Sequence, residues 1–115
     1  MDTNNRLDNS LRYAKQRFLQ YRRLKGSVYV VCCEGFVKIG FATSVSARLS
    51  NLQIGCPFEL KLMKVFKSDD IVEMERKLHR ELVPYWHRGE WFKLPDWLME
   101  RLLRAETVDS FILNV

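Results

Sequence analysis

A glutamate and a histidine one helical turn apart, Glu75-x-x-x-His79, are the residues of this chain best placed to do chemistry. At about 100° per residue, Ile71, Met74, Leu78 and Leu82 share one arc of a helix, which Val72 and Val83 extend, and Glu75 falls inside it. A carboxylate turned toward a core is costly unless a cation or hydrogen-bond donors meet it. The pair therefore predicts a metal-binding or catalytic site. The structural alternative is a glutamate that pairs with a buried arginine or caps a neighbouring strand.

A second set of reactive side chains lies earlier, in a segment with the period of strands. Ser27 to Cys33 and Phe36 to Phe41 are rich in β-branched and aromatic residues, and Glu34-Gly35 between them predicts a tight hairpin. A two-residue turn sets Cys33 opposite Phe36. Cys32 then faces Val37, Val30 faces Ile39 and Val28 faces Phe41, all on one apolar side. On the other side Val31 faces Lys38 and Tyr29 faces Gly40, so a phenol and an ammonium become diagonal neighbours beside a missing side chain. A slip of one residue would destroy this sorting.

The remaining elements follow from periodicity and breakers. A short helix is predicted from Ser44 to Asn51, with Val45, Leu49 and Leu52 inward and Arg48 at its flank; Gly55-Cys56-Pro57 turns into a half-exposed strand from Glu59 to Lys67. Asp69 or Asp70 caps the Glu75 helix, which runs to about Val83 before Pro84. Arg88 to Phe92 reads as a turn and a short apolar segment, and Pro95 or Asp96 opens a last helix through Leu98, Leu102 and Leu103. The tail from Thr107 to Val115 fits an edge strand.

Composition bounds the class. With 115 residues and 47% hydrophobic content the chain makes one compact domain. No apolar run reaches the roughly 20 residues of a membrane span, and the polar start lacks the order of a secretory signal, so an intracellular, cytoplasmic protein is expected. Three cysteines do not suggest a disulfide framework, and a zinc site from Cys32 or Cys33, Cys56 and a histidine lacks the usual spacing.

The net charge of +5 is all in the first segment: residues 1 to 26 hold seven bases against two acids, and the rest of the chain holds twelve of each. Leu7, Leu11, Ala14, Phe18 and Tyr21 predict a helix there, with Arg12, Lys15, Arg22 and Arg23 outward. Such a segment is an electrostatic docking element for a polyanion, nucleic acid above all, or else a solvated helix face.

In order, Val28-Tyr29-Val30, Lys38-Ile39-Gly40, Arg48, Glu75 with Leu78-His79, and Gly89-Glu90-Trp91-Phe92 resemble the GIY-YIG nuclease superfamily. The likeness is closest to its phage- and virus-associated branch with a Lys-Ile-Gly second motif and a Gly-Glu-Trp-Phe closing motif. It covers roughly residues 26 to 94. It implies an α+β fold, a small three-stranded antiparallel sheet flanked by helices, here with an added basic helix over 1–25 and a C-terminal helix and tail over 95–115 packed on the same domain.

The resemblance further implies a DNA endonuclease that hydrolyses phosphodiesters with one Mg²⁺ or Mn²⁺ held by Glu75, leaving 5′-phosphate and 3′-hydroxyl ends. Tyr29, Lys38 and Arg48 occupy the other motif positions, and His79 belongs to the branch's pattern. The chemistry is coherent in itself: Lys38 would lower the pKa of Tyr29 and make it a base, or position the attacking water, and Arg48 would fork onto phosphate oxygens. Glu90 stands where the superfamily has an asparagine, as a second carboxylate for the metal or as a turn cap. Arg88, beside His87, joins Arg12, Lys15, Arg22 and Arg23 as a candidate DNA contact. Specificity would come from the first helix, the loops, a homodimer or a partner protein. The rival readings are a DNA-binding module without turnover and a protein-interaction or inhibitor domain acting through the basic helix.

Overall fold

The structure is a computed structural model that describes residues 24–113. The basic helix expected over 1–25, with Arg12, Lys15, Arg22 and Arg23, lies outside the described residues but for Leu24 and Lys25. The alternating segments become β1 (Gly26–Cys33) and β2 (Phe36–Ala42). Their connection places both Glu34 (φ 50°) and Gly35 (φ 82°) in the left-handed region, the turn whose twist matches that of right-handed strands. The register is the predicted one in every pair, from Val28 opposite Phe41 to Cys33 opposite Phe36.

On the other side of β1 runs β3 (Lys61–Ser68), antiparallel and irregular where it passes Val30 and Val31. Two short strands complete the sheet: β4 (Trp86–Arg88) and β5 (Trp91–Phe92). The sheet therefore has five strands in the order β3-β1-β2-β5-β4, which corrects the expected three. Gly89, at φ 55°, reverses the chain and brings Trp91 and Phe92 onto Lys38 and Val37. Strands this short carry too few residues to display an alternation.

The first helix, α1 (Val45–Ile54), is capped by Ser44, whose hydroxyl accepts from the Ala47 amide at 3.4 Å. Its inward Val45, Leu49 and Leu52 are only half-buried, and Ile54 is 84% exposed. By contrast α2 (Ile71–Glu81), capped by Asp70, buries Ile71, Val72, Glu75 and Leu78. It stops short of Val83 because Val83–Tyr85 tightens into a 3₁₀ turn around Pro84. After Pro95 comes α3 (Asp96–Arg104), and the tail is a helix, α4 (Val108–Leu113), where an edge strand was expected. Thr107 and Ser110 bond each other's amides reciprocally, at 3.0 and 3.2 Å, and such a pair starts a helix.

One core joins these elements. Val28, Val30, Ile39, Phe41 and Phe66 from the sheet meet Ile71, Leu78 and Leu82, together with Leu98, Leu102, Val108 and Phe111 from α3 and α4. On edge strand β3, Lys64 lies opposite Val30 and turns inward, donating to the Leu103 carbonyl at 3.0 Å and lying over the Phe66 ring. Among the described residues no helix is long and apolar enough to cross a membrane.

Candidate functional site

Three successive residues of β2 assemble the site. Strand β5 pairs with β2 only at Val37 and Lys38, so beyond that point the outer edge of β2 must find other partners for its backbone. The Ile39 amide donates to the Glu90 carbonyl at 3.1 Å, and the Ile39 carbonyl accepts from His79 Nε2 at 2.8 Å. Glu90 and His79 are thus fixed by one residue. Next door, Lys38 Nζ lies 3.2 Å from Glu90 Oε2 and over the Trp91 ring. On the other side Gly40 opens the space that Tyr29 fills: a β-carbon there would sit 2.6 Å from Tyr29 Cζ, closer still to its hydroxyl, and 3.2 Å from Glu90 Oε2.

Electrostatics shows what surrounds the phenol. Tyr29 is 1% exposed, and its pKa is pushed up to about 12, first by burial and then by the charges of Glu90 and Glu75. Arg48, which donates a hydrogen bond to it, acts in the opposite sense. The sequence-based expectation that an adjacent Lys38 would lower this pKa is therefore reversed: Lys38 is committed to Glu90, and burial, joined by the charges of Glu90 and Glu75, outweighs Arg48. His79 is held below its ordinary pKa by burial, against the pull of its bond to Ile39 and the charge of Glu90. Because the Ile39 carbonyl can only accept, Nε2 carries the proton and Nδ1 keeps the lone pair. The ring packs edge-on against Phe92.

Tyr29, Lys38, Arg48, Glu75 and His79 are therefore drawn around Gly40 from four elements. Glu75, the buried carboxylate in the apolar arc, is 8% exposed. Arg48 is exposed on α1 and lines a shallow cavity with Leu24, Phe41 and Thr43. Arg88 and His87 are exposed on β4, where the His87 ring stacks on Phe36. Glu90, expected as a second carboxylate or a turn cap, pairs with Lys38 through its side chain and holds the Ile39 amide through its carbonyl. Both the pairing of Lys38 with Glu90 and the anchor at the Ile39 backbone arise from tertiary contact, so the sequence carries no local signal for either. Among the described residues, no three His, Cys, Asp or Glu side chains gather as a ready metal cage.

A sequence profile of the T5orf172 domain matches residues 26–114, taking in the whole sheet and every helix described. No curated protein and no solved structure matches the chain.

Proposed function

The chain belongs to the T5orf172 domain family, and from that premise we propose that it is a metal-dependent DNA endonuclease of GIY-YIG type, hydrolysing phosphodiesters to 5′-phosphate and 3′-hydroxyl ends. One observation carries the reading: two carboxylates, Glu75 and Glu90, bear on a single buried phenol beside a guanidinium. Lys38 and Arg48 balance those two charges, and a divalent cation held by Glu75 would add the positive charge that draws a phosphate in.

The donor set fits Mg²⁺ or Mn²⁺, which take one or two carboxylates and keep several waters. Glu75 would hold the ion, which when bound supplies charge neutralisation at the phosphate and at the departing oxygen. Arg48 gives one N–H to the Tyr29 oxygen and has further donors for phosphate oxygens. Tyr29, protonated at neutral pH, hydrogen-bonds substrate and is no phenolate base. His79 is neutral there and is the group able to accept a proton from water. Lys38, held by Glu90, presents a fixed positive charge.

The test is incubation of purified protein with labelled single- and double-stranded DNA, with and without Mg²⁺ or Mn²⁺, beside Glu75→Ala. Metal-dependent cleavage that the variant loses by at least about a hundredfold, with DNA binding retained, is the expected result. Binding without cleavage by the wild type would make the chain a binding module instead.

A further inference from the structure

Away from this site, the end of β1 and the end of α1 bring two thiols together. Cys33 Sγ and Cys56 Sγ are 3.8 Å apart although 23 positions separate them in sequence. Both side chains are half-buried, and no disulfide joins Cys33, Cys56 or Cys32. Cys32 takes the opposite face of β1 and packs on the core, so it does not compete for Cys56.

The partner thiol is held in place by a dedicated side chain. Gln53, in the last turn of α1, donates from Nε2 to the carbonyls of Phe58 (2.8 Å) and Cys56 (3.4 Å) and accepts from the Leu60 amide at 2.9 Å. The Cys56 amide in turn bonds the Gln53 carbonyl at 3.1 Å. Residues 53 to 60 thus form a braced loop that presents one thiol to the other. Among the described α-helices, the one that this loop ends has no fully buried residue, so a covalent tie would hold what packing holds weakly.

We propose that Cys33 and Cys56 are a reversible oxidative modification site: a peroxide converts the pair to an intramolecular disulfide that clasps α1 to the sheet. Both S–H bonds break and one S–S bond forms. The two electrons and two protons released reduce the peroxide O–O bond to two waters. The sulfurs need close only from 3.8 Å to about 2.05 Å. The inference does not depend on the nuclease reading.

Treating the reduced full chain with hydrogen peroxide tests it. Expected are an intact mass lower by two hydrogens, a Cys33–Cys56 linked peptide, a single-chain band on a non-reducing denaturing gel, and a thermal midpoint about 10 °C higher that dithiothreitol reverses. Cys32→Ser should keep the link, and Cys33→Ser and Cys56→Ser should each lose it. If either serine variant fails to fold, the wild-type peptide map decides by itself. A mass gain from added oxygen, a link through Cys32, a link between two chains or an unchanged midpoint would overturn the proposal.

Discussion

Gly40 sets the dimensions of the site, because any side chain there would meet the Tyr29 ring, itself enclosed on all sides. The groups that gather around it bound stability in pH from both ends. In the unfolded chain His79 takes up a proton near 6.5, whereas in the fold it stays neutral to lower pH. The unfolded state then binds more protons, and stability falls as pH drops through 6.5 toward the folded value. Tyr29 behaves in the opposite direction: unfolded it loses its proton near 10, folded only near 12. Across that window the unfolded state binds fewer protons, so stability falls as pH rises. Thermal midpoints measured across pH should show both declines, with His79→Gln flattening the acid limb and Tyr29→Phe the alkaline one. An unchanged alkaline limb in Tyr29→Phe would mean that the phenol titrates as in water.

Elements differ in how firmly they are held. α1 buries none of its residues fully while α2 buries four, so local opening should start at α1. Hydrogen exchange should find the amides of 49–54 at least about tenfold less protected than those of 75–81, and equal protection would refute this ranking. The same contrast explains what the sequence discloses. The hairpin register was legible because a two-residue turn leaves one pairing that puts every apolar side chain on one face. Glu75 was legible as buried because α2 has a strong apolar stripe. The β4-β5 hairpin was not, since five strand residues offer no period, and α4 was mistaken for a strand because Val108 and Phe111 mark an inward helical face only once the Thr107-Ser110 cap is known. The Glu90 role depended on tertiary contact with Lys38, which no local pattern encodes.

At the scale of the molecule, α3 and α4 complete the core instead of decorating it. Phe111 is 2% exposed and belongs to the cluster that holds Ile71 and Leu78. Phe111→Ala should therefore cost about 3–5 kcal/mol in urea unfolding, although it lies near the end of the described residues; a loss below about 1 kcal/mol would show the helix to be dispensable. The inward lysine of β3 has a consequence of another kind. That strand shows Leu62, Met63 and Val65 to the exterior and, among the described residues, pairs on one side only, the sort of rim on which foreign polypeptide grows ladder by ladder. With Lys64 tethered to Leu103, an added strand would have to lie beside an ammonium that cannot swing out to water without abandoning its carbonyl, so the fold carries its own guard against fibril-like accretion.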